Sequence, residues 1–266
     1  MLGAVGFMLF RRPGIGVLEI TGFIGGGRRT EEQLRLLRSL EENRRYRAAV
    51  LDIDSPGGSA SASEYLHNSI ARVASQKPVV AFIRGVGASG AYMASCAATK
   101  TVAFPSAIVG SIGVISLRPV VHELLQRLGI KVAVAKSGHL KDMGAPYRES
   151  TPEEQEKEQA LVQAFYERFL DLVAQGRRME RERVKELATG EIFIGTRAKE
   201  LGLVDELGDM ETALDLAAQL GKVKRRISYL RPRRSFRERF LFGFSDHLVG
   251  RVEEAVEDFL ARRVFY

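Results

Sequence analysis

AAVLDIDSPGGSASASEYLHNSIARVASQKPVVAFIRG, residues 48–85, carries the architecture in miniature. AAVLDIDSPGG is an unbroken apolar run closing on Pro-Gly-Gly, which predicts a buried strand that ends in a tight turn. SASEYLHNSIARVAS repeats its apolar residues at helical spacing, and PVVAFIRG returns to a strand. Strand, helix and strand with one short turn on each side form a parallel crossover unit.

The same alternation extends outward. GVLEITGFI (16–24) reads as a strand, and TEEQLRLLRSLEEN (30–43) as a helix with a Thr cap and acids in its first turn. After GVGASG a helix runs through Ala97. TKTVAFPSAIVGSIGVI (99–115) is strand-like around a glycine-rich turn, RPVVHELLQRLG (118–129) a helix, and IKVAVAKSG (130–138) a strand entering the loop HLKDMGAPYRE. From Thr151 the chain turns helical: a long acid-started helix, then ERERVKELATG, then a helix, turn and helix over 195–221. The expectation is an α/β fold with a mostly parallel sheet.

Three segments follow: a short apolar stub at 1–15, the α/β domain at 16–221, and a basic, amphipathic extension at 222–266. The stub is shorter than the ~20 residues that span a bilayer and lacks a cleavage region. From Lys222 to Arg239 nine Lys or Arg face the single acid Glu238. Beyond them Phe236, Phe240, Phe244, Leu248, Val252, Val256 and Leu260 form one apolar stripe. A membrane surface is a possible partner of this extension. No stacking pattern or recognised motif points to nucleic acid. One cysteine, Cys96, excludes an intrachain disulfide and reads as a buried core thiol. Four scattered histidines give no metal-ligand spacing, so neither metal nor cofactor is expected.

Chemistry is placed by the turns. DSPGGS (54–59), GVGASGA (85–91) and VGSIGVI (109–115) fall at C-terminal strand ends, where open α/β sheets put their sites. Glycine lets backbone approach a ligand, and free N–H groups there can hold an oxyanion. Ser89 opens a helix, either as its N-cap or as a nucleophile. The G-x-S-x-G elbow and the P-loop are both absent. A proton acceptor for Ser89 has three candidates in one loop: His139, Lys136 and Lys141. A lysine can act as a base only as the neutral amine, and its reference pKa of about 10.4 must fall by roughly 3 units, which burial can supply.

In order, DSPGG, ASGAYMAS, VGSIGVI, KSGHLKDMGAPYRESTPEE and AKELGLVDELG resemble the motifs of the signal peptide peptidase A family. That resemblance spans residues 16–220 and implies a crotonase/Clp-protease-like repeated ββα superhelix in a single copy, with a C-terminal helical extension. It implies a Ser-Lys dyad, with Ser89 as nucleophile and Lys141 as base in preference to Lys136. Backbone N–H groups of Gly58 and Gly90 would form the oxyanion hole, with Gly57 shaping the turn and Gly110 and Ser111 in the cleft wall; on chemical grounds Ser111 is expected to aim the lysine, because a neutral amine needs a hydrogen-bond partner. It further implies cleavage of hydrophobic peptides such as spent signal peptides, and a homo-oligomer, ring or bowl, in which the dyad can cross subunits. The expected location is the cytoplasm or the periphery of a membrane. Two other readings stay open: an acyl-CoA enzyme of the crotonase superfamily, for which Glu64 is the nearest acid, and a non-catalytic membrane-partner scaffold.

Overall fold

The computed structural model describes residues 14–231; the stub up to Pro13 and the apolar stripe from Phe236 lie outside them. All but the last of these residues belong to one compact unit, which ends at Leu230. In chain order the elements are β1 (Gly14–Thr21), α1 (Arg28–Glu42), β2 (Tyr46–Ser55), α2 (Ala60–Ala74), β3 (Val79–Ala88) and α3 (Gly90–Ser95). Next come β4 (Lys100–Ala103), β5 (Ile108–Gly110), α4 (His122–Arg127), α5 (Pro152–Arg177) and α6 (Arg181–Leu187). The set closes with β6 (Ile192–Ile194), α7 (Gly195–Glu200), β7 (Glu206–Leu207), α8 (Met210–Gly221) and β8 (Ile227–Tyr229).

The strands form one sheet in the order β6-β5-β3-β2-β1-β8, with β4 pairing β3 and β7. Every pairing is parallel except β5 with β6. Both faces of β1 and β2 are buried, as a parallel sheet under helices requires. Val17 and Val50 pack with Leu214 and Ala217 of α8, while Leu18, Leu51 and Ile53 face Leu37, Leu66 and Ile70 of α1 and α2. Residues 227–229, inside the basic segment, add a strand beside β1.

The sheet forks at β3. Its first half, Val80–Ile83, pairs with β4, and its second, Val86–Ala88, pairs with β5. Between the halves, the β2–β3 register shifts between Ile53 and Ser55. Asp54 stabilises the fork by accepting the Val86 N–H at 3.0 Å, and Gly85 is required there because a Cβ would lie 2.6 Å from the Asp54 carboxylate. The fork sends the end of β3 toward the Pro-Gly-Gly turn.

Two expectations fail in residues 118–138. The helix shortens to α4, none of whose residues is buried. IKVAVAK joins no ladder and is exposed throughout. An extended segment becomes a strand only against a neighbouring edge, and within the described chain no edge lies beside it. The preceding stretch is exposed as well, with Ile115 85% and Leu117 90% accessible. Among the described residues no helix is long and apolar enough to cross a membrane.

Candidate active site

The Pro-Gly-Gly turn is built by a buried serine. Ser55 Oγ donates to Gly22 O at 2.6 Å and accepts the Gly57 N–H at 3.1 Å. This pins Gly57 in a left-handed conformation, φ 94°, which a side chain would strain. Gly58 then pairs edgewise with Ile24, whose N–H donates to Gly57 O and whose carbonyl accepts from the Ser59 N–H, both at 2.8 Å. A Cβ on Gly58 would run into the Ile24 carbonyl.

Ser89 stands at the join of β3 and α3 with φ 52° and ψ −122°. Those dihedrals belong to the first central position of a type II′ turn, where glycine is usual. Its N–H donates to Gly110 O at 2.8 Å and its carbonyl accepts from Met93 N–H at 2.9 Å. Its hydroxyl caps nothing, so the helix-cap role is overturned: the bent backbone aims the side chain away from the helix N–H groups. A strained serine on a strand-to-helix turn is how sharp elbows expose an oxygen. GVGASG makes such an elbow without the G-x-S-x-G spelling.

Gly58 and Gly90 come together beside this serine. A Cβ on Gly90 would overlap the buried Ser63 hydroxyl and lie 3.4 Å from the Gly58 nitrogen. Among the described residues neither glycine N–H has a hydrogen-bond partner. Two unpaired N–H groups flanking a free hydroxyl are what a tetrahedral oxyanion needs. Gly57 completes the packing, since its own Cβ would sit 2.6 Å from Gly90 N and 2.9 Å from Ser89 Cβ.

Ser89, Gly58 and Gly90 open onto a cleft of about 670 Å³. Ser111, Gly113, Val114 and Ile115 form one wall, and Gln159, Val162, Gln163 and Tyr166 of α5 another. Among the described residues no charged side chain lines it. Gly110 holds φ 106° and Ser111 φ 49°, so a second strained serine faces the same space. Gly110 forces this by a close approach: a Cβ there would lie 3.0 Å from Glu191 O. Among the described residues no His, Cys, Asp or Glu group is placed to hold a metal ion.

Lys141 is not among the residues lining this cleft. It is exposed in a turn whose N–H donates to Gly138 O at 3.1 Å. Its ammonium has no ion-pair or hydrogen-bond partner among the described residues. Lys136 is committed elsewhere, donating to Asp142 Oδ1 at 2.6 Å and to His139 O at 2.9 Å. His139 lies in the open, 3.4 Å from Glu153. His67 is buried on α2, and burial pushes its imidazole down toward the neutral form. Glu64 is taken up by Arg168 at 2.7 Å and is absent from the cleft. The residues that sequence reasoning missed are Ser55 and Ser63; the dipeptide Asp-Ser before Pro-Gly-Gly was the available sign of the first.

Comparison with known proteins follows the same outline. The profile of peptidase family S49 matches residues 71–224, which include Ser89, Gly90, Gly110, Ser111 and Lys141. A candidate protease of Methanocaldococcus jannaschii is 40% identical over 190 residues, 71% of this chain and 61% of that protein. A candidate protease of Synechocystis is 39% identical over 214 residues, 80% of this chain and 76% of that one. Serine protease SPPA, chloroplastic, of Arabidopsis thaliana is 34% identical over 194 residues, 73% of this chain but 29% of its own length. Among solved structures, a lysine-to-alanine mutant of the 1510-N membrane-bound stomatin-specific protease, in complex with a substrate peptide, superposes with a TM-score of 0.56. That match covers 91% of this chain and 99% of the other at 16% identity, which shows a shared fold. The chain belongs to peptidase family S49, the serine peptidases of the signal peptide peptidase A type that its motifs resemble.

Proposed function

We propose that this chain is an endopeptidase that cuts extended, uncharged peptides rich in small and apolar residues, spent signal peptides among them, through a Ser89–Lys141 dyad. The observation that carries the reading is the Ser89 elbow: a free hydroxyl on a strained backbone, beside the unpaired N–H groups of Gly58 and Gly90. In the reaction a neutral Lys141 takes the Ser89 proton as Oγ attacks the scissile carbonyl. The two N–H groups hold the oxyanion, and the protonated lysine gives its proton to the leaving amine. A water, deprotonated by the same lysine, then releases the acyl group from Ser89. Ser111, on its strained backbone across the cleft, aims the lysine amine, and Gly57 and Gly110 hold the walls.

The dyad is read as shared between copies of the chain in a ring or bowl. Lys141 sits outside its own cleft, and the apolar stretch before it, including Ile115, Leu117, Ile130, Val132 and Val134, is exposed in the single chain. A second copy would cover that surface and receive the lysine. The uncharged lining disfavours the acyl-CoA reading, which wants a carboxylate where Glu64 does not reach. Residues 222–266 are proposed to rest on an anionic membrane surface through the basic run and apolar stripe; co-sedimentation with anionic vesicles tests this.

The central test is mixing. Ser89→Ala and Lys141→Ala are each expected to lose cleavage of a quenched-fluorophore peptide of small and apolar residues. Mixed in equal amounts with subunit exchange, they should recover about a quarter of wild-type activity, the statistical share of sites with both groups intact. Wild-type cleavage by Lys141→Ala would overturn the base; two inactive variants with no recovery on mixing would place the dyad within one chain.

A further inference from the structure

None of residues 115–141 is buried, so the loop bearing Lys141 needs another anchor than the core. The structure supplies a polar one. Arg148 donates from Nε to Asp142 Oδ2 at 3.0 Å, and its Nη2 lies 2.9 Å from Asp142 Oδ1 and 3.3 Å from the Asp142 carbonyl. The same guanidinium reaches Glu154 through Nη1 at 2.8 Å and Nη2 at 2.5 Å. Glu154 is 2% exposed, and its Oε2 also accepts the Thr151 N–H at 2.9 Å in the capping box of α5. Asp142, the neighbour of Lys141 in sequence, takes Lys136 and Tyr147 as further partners.

We propose that Arg148 is a positioning residue for the peptidase reaction: by forking between Asp142 and Glu154 it locks the Lys141 loop onto the first turn of α5, so that the base is presented in a fixed direction. The proposal rests on the reading of Lys141 as the base. A planar fork with fixed donors suits this task better than an ammonium, because it meets two carboxylates and a carbonyl at once. The helix it grips is 26 residues long, and its cleft-lining stretch begins at Gln159. Arg148 holds both carboxylates in the charged form: it is the main reason Asp142 lies well below the usual carboxylate range and Glu154 at about 2. Lys136 adds to the first and the Thr151 N–H to the second. The clamp is therefore closed across the pH range in which a peptidase works.

Arg148→Met tests it. The expected result is a kcat lower by about 100-fold, the scale of a misplaced catalytic group, with KM within about threefold. The mixing assay separates positioning from general damage. Arg148→Met keeps Ser89 and its cleft, so mixing with Ser89→Ala, which brings an intact base loop, should restore activity. Mixing with Lys141→Ala should not. Wild-type kcat in Arg148→Met overturns the proposal, and so does failure to recover with Ser89→Ala while the Ser89→Ala and Lys141→Ala pair recovers. If that control pair stays silent, the shared dyad is wrong and the clamp is judged on the kcat and KM of Arg148→Met. Arg148→Lys, which keeps the charge but not the fork that spans both carboxylates, serves if Arg148→Met does not fold; unchanged kcat in it would equally overturn the clamp.

Discussion

Replacing Ser89, the proposed nucleophile, by glycine should make this protein more stable while silencing it. Ser89 holds φ 52° and ψ −122°, a backbone state that costs a side-chain-bearing residue about 1–3 kcal/mol. Glycine adopts it freely, but loosens the unfolded chain by about 0.4–1 kcal/mol. No offsetting contact is lost, because the Ser89 hydroxyl has no partner among the described residues and the residue lines an open cleft. The balance for Ser89→Gly is a gain of about 1 kcal/mol, a rise in Tm of about 2–4 °C for a chain of this size. Ser89→Ala keeps Cβ and the strain, and should stay within about 0.5 kcal/mol of wild type. Urea unfolding followed by circular dichroism, at fixed protomer concentration and with unchanged m-value, measures both. A midpoint for Ser89→Gly at or below that of Ser89→Ala would refute the claim that this elbow is strained.

Further outcomes follow from the same geometry. Gly58→Ala should lose most activity, since its Cβ would meet the Ile24 carbonyl and drive out of line the N–H proposed to hold the oxyanion; cleavage at the wild-type rate would show that this N–H is not used. Burial pushes the Cys96 thiol up to about 11, so native protein should react with iodoacetamide at pH 8.5 on the order of 100-fold more slowly than protein in guanidinium. The unfolded thiol ionises near 8.5, so the stability it contributes is intact below that pH and is lost as pH rises toward the folded value; the urea midpoint should fall over that window. Tyr92 donates to Leu203 O at 2.8 Å in full burial, and Tyr92→Phe should cost about 1–3 kcal/mol, read as a lower midpoint.

The sheet was legible because its signals are local. The apolar runs at 48–53 and 79–83 are long enough to demand burial on both faces, and Pro-Gly-Gly marks where the first one stops. The helices at 30–43 and 60–74 announce themselves by spacing, and the helix from Pro152 by its length and acid-rich start, to which the structure adds a capping box of Thr151 and Glu154. β6, β7 and β8 escaped notice for the opposite reason. They run for two or three residues each and exist through neighbours distant in sequence, as with Glu206 beside Val102 and Ile227 beside Ile15. IKVAVAK misled in the other direction: its composition asks for a strand, and composition cannot provide the edge that makes one.

At the site the division is similar. Residue types and their order pointed to the three glycine-bearing turns and to Ser89 as either cap or nucleophile; the resemblance to the signal peptide peptidase A family then singled out the glycines at 57, 58, 90 and 110 and a lysine in place of a histidine. That Ser89 bends rather than caps was decided by the fork in β3 and by the Gly110 carbonyl that fixes its N–H, contacts between residues twenty positions apart or more. That Lys136 is spent on Asp142, that Arg148 ties the loop of Lys141 and Asp142 to α5, and that Lys141 stands outside the cleft were likewise decided only by the tertiary structure. Sequence specifies which groups a chain owns and its local backbone preferences; which charges pair, and which groups remain free to react, depends on distances that exist only after the chain has folded.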